Sequence, residues 1–379
     1  MTSRERVLRT IAHQPVDRMP IDFGSSTSTN LSAFAYAKLL EYLGYPQDPI
    51  DIIDVTQCLP RVSEAVRRRF HADCIHLHPG WTATQTWSPR PGYKFLIPAS
   101  AKLEGTPEGQ WVLTHQYGSM RMPSGGFFFD GVWGSARSFE PWSGDEYIAR
   151  MAAEAKRLYE ETEYYVSFPG FPCYFATDPD WLCDLMTDPE MIAEKNRKNL
   201  EAAKGLLLKV YAACGETIQE IRISDDMGTQ RGPWCRPEIM EQEIMPFYKE
   251  FCTFAHDNSP YKVHLHCCGS ILPLIPMLAD CGMDIIDPIQ ISADNMAPAD
   301  VKKAAGKMTL WGGGIDTQHV IKQESPEAVA EHVRGLVSAF KPGGGYVFAS
   351  VHNIQGNVSP ENIVAAFDAA YEMAGDGGA

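Results

Sequence analysis

The stretch KVHLHCCGSI, Lys262–Ile271, gathers the chain's most reactive side chains. His264, His266 and Cys268 stand at alternate positions, and Gly269 follows. Side chains two residues apart on a β-strand share a face, so one face of this segment presents two imidazoles and a thiol. An imidazole with a thiolate suits Zn²⁺, which takes three protein ligands and keeps a fourth position open when it does chemistry. The bland alternative is packing, because His-x-Cys pairs also occur in ordinary cores. Cys267 points the other way and reads as a buried apolar thiol. Cys281, ahead of the next expected strand, reads as too remote to be a third ligand.

Polar groups recur at other expected strand ends. Asp225 and Asp226 close IRISDD, Asp287 and Gln290 close MDIIDPIQ, Asp316 and Gln318 follow LWGGGID, and His352, Asn353 and Gln355 follow GYVFASV. This repetition is the pattern of an active site on the C-terminal rim of a barrel. Asp226 and His266 are the candidate catalytic groups, Asp226 as an acid, a base or a substrate-orienting carboxylate, with a helix-capping role as its alternative. Asp287, Gln290, Asp316, Gln318 and Gln355 are the candidate substrate contacts. The glutamines suit that role because an amide donates and accepts hydrogen bonds without competing for zinc, whereas Asp287 and Asp316 read equally well as turn residues. His76 and His78 alternate in HLHPG with no cysteine or carboxylate cluster nearby and read as structural.

These groups need strands to carry them, and eight apolar β-rich runs are present: Met19–Phe23, Ala72–His78, Tyr165–Pro169, Glu220–Asp225, Tyr261–Cys268, Met283–Ile289, Met308–Gly313 and Gly345–Ser350. Segments with helical spacing of apolar residues lie between them. Ser325 and Ser359 each precede Pro-Glu, a helix-start signature. Eight strand–helix units predict an α/β protein with a (β/α)8 TIM barrel, one domain over residues 1–379. A doubly wound sheet is the alternative, but no glycine-rich dinucleotide fingerprint follows the first strand. From about Trp81 to Phe139, short alternating runs with Gly, Pro, Trp and Tyr replace the rhythm, which predicts an antiparallel β-rich insertion (residues 81–139) over the C-terminal rim. Trp81, Trp87, Trp111 and Trp133 within it form either an apolar lid or simple aromatic packing.

Bulk properties narrow the function. A hydrophobic content of 44% with 21% charged residues is that of a globular protein with a full core. The net charge of −15, with no basic run, argues against nucleic acid and anionic membranes as partners. The N-terminal twenty residues carry arginines and no long apolar stretch, and ten scattered cysteines read as reduced thiols, so a cytoplasmic location is expected.

HQPVDRMPIDFG, SDDMGTQRGPWCRPEIMEQEIMPFYKEF, HLHCCGSI, GGGIDTQ and GGYVFASVHNIQGNVSPENI, in that order along nearly the whole chain, resemble the uroporphyrinogen decarboxylase superfamily. The resemblance implies the (β/α)8 barrel. True uroporphyrinogen decarboxylases carry an R-Q-A-G-R-Y-type segment that grips substrate carboxylates. Here PIDFGSSTSTNLSAFAY has no arginine, which points away from a porphyrinogen substrate. The motifs are closer to the zinc-dependent methylcobamide methyltransferase branch, whose zinc is held by His-x-Cys-Gly and a later Cys. By position, His266 and Cys268 match the first two ligands. The later Cys has His352 as its nearest counterpart; either His352 replaces it or another rim residue serves.

The resemblance thus implies a zinc-dependent methyltransferase of a corrinoid-dependent one-carbon pathway. Two histidines and one thiolate leave zinc with about one net positive charge, a stronger Lewis acid than a His/Cys/Cys site. That favours O-demethylation of a methyl ether, with thiol methylation from methylcobamide, or decarboxylation of a non-porphyrin acid, as alternatives. A non-catalytic, metal-storing barrel is the bland one. No D-x-H-x-x-G corrinoid signature occurs, so the corrinoid (methylcobalamin) is expected on a separate corrinoid protein. Which small molecule gives or accepts the methyl group, the direction of transfer and the oligomeric state, a homodimer included, stay open.

Overall fold

A computed structural model describes residues 1–131, 136–140 and 144–375. Trp133 lies outside the described residues. Among the described residues, fifteen strands appear in chain order. β1 (Ile50–Asp54) and β2 (Leu59–Pro60) precede β3 (Cys74–Ile75). Next come β4 (Thr84–Trp87), β5 (Phe95–Pro98), β6 (Lys102–Gly105), β7 (Trp111–His115), β8 (Gly118–Met122) and β9 (Asp130–Gly131). The last six are β10 (Tyr165–Phe168), β11 (Glu220–Ser224), β12 (Lys262–His266), β13 (Ile285–Asp287), β14 (Thr309–Trp311) and β15 (Tyr346–Val347).

β3 and β10 to β15 form one seven-stranded parallel sheet in the order β15-β14-β13-β12-β11-β10-β3. The eighth expected run, Met19–Phe23, closes it: Ile21 makes a single parallel bridge to Phe348, and its carbonyl accepts the Asp73 N–H at 2.7 Å on the other side. The result is a (β/α)8 barrel. Each strand is shorter than its apolar run, because the strongly tilted staves of a barrel pair over only a few residues.

Helices fill the connections. Ser325 and Ser359 cap Pro326–Phe340 and Pro360–Glu372 through their hydroxyls, as their Ser-Pro-Glu signatures predict. The first helix, Ser3–Ile11, is held by a capping box between Thr2 and Glu5. It closes the N-terminal mouth of the barrel, where Val7 and Ile11 join Cys74, Tyr165, Ile285, Trp311, Val347 and Ala349 in the inner core. Among the described residues, no helix is long and apolar enough to cross a membrane.

The β-rich stretch after β3 divides in two. β6 to β9 form the expected antiparallel meander. β4 and β5, however, join β1 and β2 in a mixed sheet, with β5 parallel to β1. The alternation in Ile50-Asp51-Ile52 is the sequence signal for β1. The insertion braces rim loops from outside: Phe129 N–H donates to Thr56 O at 2.8 Å, and Phe127 packs on Gly356. Trp81, Trp87 and Trp111 are packing residues, with the indole N–H groups of Trp81 and Trp111 on Ile52 O and Pro89 O.

Ring closure depends on Asp73, whose side chain is fully buried. It accepts from Arg6 Nη1 at 2.6 Å, Arg18 Nη1 at 2.7 Å and Ile21 N at 2.9 Å, tying the first helix and the first stave to β3. Replacing Asp73 with Ala leaves the Arg18 guanidinium without its carboxylate and Arg6 with Asp17 alone, and the expected cost is roughly 3 kcal/mol. Urea unfolding of Asp73→Ala against the parent checks it, and a loss below about 1 kcal/mol would show that closure does not depend on this carboxylate.

Candidate metal centre

The centre is built on three adjacent staves and completed by His352 from the loop after β15. In register, Arg222 of β11 faces His264 of β12, and Ser224, His266 and Asp287 stand side by side on β11, β12 and β13. Backbone hydrogen bonds from Asp225 N to His266 O (2.9 Å) and from Cys267 N to Asp287 O (2.6 Å) carry the ladder one step further. The strand itself stops at His266, two residues earlier than its apolar run suggests, so Cys268 sits in the turn beyond. Its N–H is caught by Asp226 Oδ1 at 2.9 Å.

Gly269 explains why the motif ends where it does. Its φ is +94°, and a Cβ there would lie 2.4 Å from the Gly228 backbone carbon; a Cβ on Gly228 would lie 2.6 Å from Cys268 O. Two glycines in contact let the β11 and β12 loops cross closely enough for Asp226 to hold Cys268.

The side chains converge. Cys268 Sγ is 3.4 Å from His266 Nε2, the His266 and His352 ring centroids are 5.9 Å apart, and the ligand-type atoms of His266, Cys268 and His352 all lie within 4.8 Å of one another. A tetrahedral zinc with bonds of about 2.0–2.3 Å separates its ligand atoms by roughly 3.3–3.8 Å, so this set fits the ion with small side-chain adjustments. Asp287 Oδ1 stands 3.4 Å from His266 Nδ1, the carboxylate–histidine arrangement that orients metal-binding imidazoles. His352 Nδ1 is engaged by Asn353 Oδ1 at 3.0 Å, leaving Nε2 free for the cluster.

The electrostatics follow from this convergence. Burial opposes a thiolate at Cys268, but His266 and His352 beside the sulfur bring it below the usual thiol range. Burial likewise opposes charge on both imidazoles, yet the sulfur raises His352, and the sulfur with Asp287 lifts His266 well above its ordinary value. Without a metal, one anion is shared between two imidazoles; an ion taken up here displaces those protons.

Beneath the cluster lies a buried polar layer. Burial alone would raise Asp287, but Arg222, His264 and His266 hold it well below the carboxylate range. Its Oδ2 accepts from Ser28 Oγ at 2.7 Å and its Oδ1 lies 3.0 Å from His264 Nε2. His264 Nδ1 meets Glu220 Oε1 at 3.0 Å, and Tyr165 OH donates to Glu220 Oε2 at 2.8 Å.

The other expected residues separate. Asp226 opens onto a cavity of about 660 Å³ with His266 and His352, 3.7 Å from His266 Nε2. Gln290, Gln318 and Gln355 line a second cavity of about 540 Å³ on the Cys268 and His352 side; Gln290 Oε1 also accepts the Gly269 N–H at 2.8 Å. Asp287 is sealed beneath the cluster, and Asp316 is a turn residue accepting the Gln318 and His319 N–H groups. Asp225 turns away to Tyr248 OH and Tyr174 N. Cys267 is buried, its sulfur on Met227 N–H, and Cys281 lies against Met245 O, apart from the cluster.

Three features escape the strand-end pattern. Arg222 and Glu220 belong to the buried layer, and their signal was the period-two placement of charges in EIRIS, the same spacing as in HLH. The hydroxyl-rich turn Ser25–Ser28 lines the larger cavity. His76 lines it too, its Nδ1 against Ser25 O at 3.0 Å and its pKa lowered by burial to about 4, while His78 is buried beside Arg61 and Trp81.

Fold and site together define a (β/α)8 barrel with a His/Cys/His cluster at its C-terminal mouth. The chain belongs to the uroporphyrinogen decarboxylase (URO-D) family, whose model matches residues 180–373. A methyltransferase from Methanosarcina mazei shares the fold, with a TM-score of 0.59 over 98% of this chain and 99% of that one at 13% identity. A Listeria monocytogenes structure described as "Putative Vitamin-B12 Independent Methionine Synthase" aligns over 61% of this chain and 70% of its own, with a TM-score of 0.40 and 11% identity. No curated protein matches by sequence.

Adding one methyl group at Gly269 tests the loop crossing. Gly269→Ala meets backbone rather than a flexible side chain and forbids φ +94°, so it is expected to cost roughly 2 kcal/mol or more and to expose Cys268. Thermal unfolding and the rate of Cys268 alkylation check this; an unchanged pair of values overturns it.

Proposed function

We propose that this chain is a zinc-dependent methyltransferase of a corrinoid-dependent one-carbon pathway. It moves a methyl group between a small molecule, a methyl ether as the leading donor, and a corrinoid carried by a partner protein. The observation that carries this reading is the meeting of His266, Cys268 and His352 within 4.8 Å at the mouth of the barrel, with a cavity on either side. Membership of the URO-D family and the fold shared with the Methanosarcina mazei methyltransferase support it.

Zinc held by these three residues would carry about one net positive charge and supply a Lewis acid for the oxygen from which the methyl group departs. The chain's own residues do the remaining work. Asp287 fixes the His266 ring through Nδ1 and so aims Nε2 at the sulfur. Asp226 has one oxygen on the Cys268 N–H and stands beside His266 at the cavity wall, placed to orient a donor or to exchange a proton with its released oxygen. On the opposite side, Gln230, Gln290, Gln318, Asn353 and Gln355 line the smaller cavity, with the Gln290 side-chain carbonyl on Gly269 N–H and the Gln355 amide on Asn353 Oδ1. An amide-rich wall of this kind supports the reading that the corrinoid, with its carboxamide fringe, approaches from this side.

Two measurements test the reading. By ICP-MS, the parent protein is expected to hold about one zinc per chain and His266→Ala or Cys268→Ala less than a tenth of that; equal zinc in all three removes the premise. Mixing the protein with cob(I)alamin and methoxylated compounds is expected to produce the methylcobalamin spectrum. Its absence, with methyl transfer from methylcobalamin to thiols instead, reverses the direction. Carbon dioxide release without corrinoid replaces the class altogether. Asp226→Asn is expected to keep its zinc while losing about 10²-fold or more in turnover, and unchanged turnover would leave Asp226 as a loop tether alone.

A further inference from the structure

The geometry points to a methylated carboxylic acid as the occupant of the larger cavity, with its carboxylate seated on Arg222. This rests on the reading of that cavity as the small-molecule site, and adds the charge and the orientation of the molecule.

Arg222 projects from β11 into the cavity wall with only about a tenth of its side chain exposed. Its hydrogen bonding is incomplete. Nη2 lies 2.9 Å from His264 Nε2 and 3.2 Å from Asp287 Oδ2. Nε is buried without a partner, its nearest carboxylate oxygen, Glu220 Oε1, standing 3.6 Å away, beyond hydrogen-bond reach. Nη1 makes no hydrogen bond to any described residue. A guanidinium offers five N–H groups in a planar fork shaped for a carboxylate, and buried donors are normally satisfied. Nε is sealed on the Glu220 side, so Nη1 is the donor left for an acceptor that arrives from the cavity.

The rest of the cavity agrees. Among its described lining residues, Arg222 is the sole lysine or arginine. Of the two carboxylates that share the wall, Asp54 accepts from the Gln57 N–H and side-chain amide and has its pKa raised by burial, whereas Asp226 has one oxygen on the Cys268 N–H and stands beside His266 at the reacting end. Nη2 of Arg222 already balances Asp287, so the guanidinium has room for one further carboxylate at most, in contrast to the several that a porphyrinogen carries. Leu77, Met151 and Phe171 supply an apolar wall, and His266 and His352 mark the reacting end. The molecule therefore has an acid head, a short apolar body and a methylated heteroatom at the far end. A volume of about 660 Å³ accommodates a single substituted ring.

Isothermal titration of the full-length, zinc-loaded protein without corrinoid tests this on two matched sets: 3-methoxybenzoate against 3-methoxybenzamide and 3-methoxybenzyl alcohol, and methoxyacetate against methoxyacetamide. At least one acid is expected to bind tenfold or more tightly than its neutral counterparts, and Arg222→Gln to abolish that preference. Should Arg222→Gln fail to fold, Ser167→Asp, which sets a carboxylate on the neighbouring stave of the same wall, is expected to abolish it instead. Equal or weaker binding of the acids, no binding of either acid, or a preference that survives in a folded variant overturns the assignment. Methyl transfer from the amide and alcohol as fast as from the acid would end this inference and leave the methyltransferase reading intact. A clear acid preference with no transfer in either direction would do the opposite.

Discussion

The buried carboxylate of Asp287 is the constraint on which the site depends. One side of it faces His266, the other meets His264, Arg222 and Ser28. A carboxylate without solvent survives only where cations and donors surround it, so β11, β12, β13 and the Ser25–Ser28 turn are locked to one another through this group. The orientation of the His266 ring is thus inherited from the barrel's interior rather than from the loop that carries Cys268.

The rim solves a different problem. Cys268 and Asp226 lie in loops, and loops hold side chains precisely only when their backbones are fastened. Here the fastening is the contact of Gly228 with Gly269, the hydrogen bond from Cys268 N to Asp226, and the amide of Gln290 on Gly269. The β-rich insertion contributes from the outside, by packing Phe127 on Gly356 and holding the Asp54–Gln57 turn through Phe129. No described residue of 81–139 lines either cavity; the walls come instead from β1, the helix Gly144–Glu161 and the turns that follow the staves.

Much of this was legible in the order of residues. Each of the eight β-rich runs became a stave, most because a central barrel strand is covered on both faces and reads as a short apolar stretch bounded by turn residues, while EIRIS and KVHLH alternate apolar residues with the polar groups of the buried layer. The Ser-Pro-Glu signatures became helix starts because capping is decided within one turn of chain. His266 and Cys268 were found for the same local reason, since a two-residue spacing on an extended chain already fixes a shared face. The strand's early stop at His266 was not visible, because it is set by Gly228 on another loop.

What the sequence by itself determined is therefore whatever depends on neighbours in the chain: the alternation of strand and helix, the caps, the pairing of an imidazole with a thiol. Which distant groups meet was decided only by closure of the barrel. That closure made Asp287 a sealed support rather than a substrate contact, brought His352 within reach of Cys268, and turned Arg222 toward a cavity. Burial and unsatisfied hydrogen bonds are properties of surroundings assembled from many segments, and no local pattern of residue types carries them.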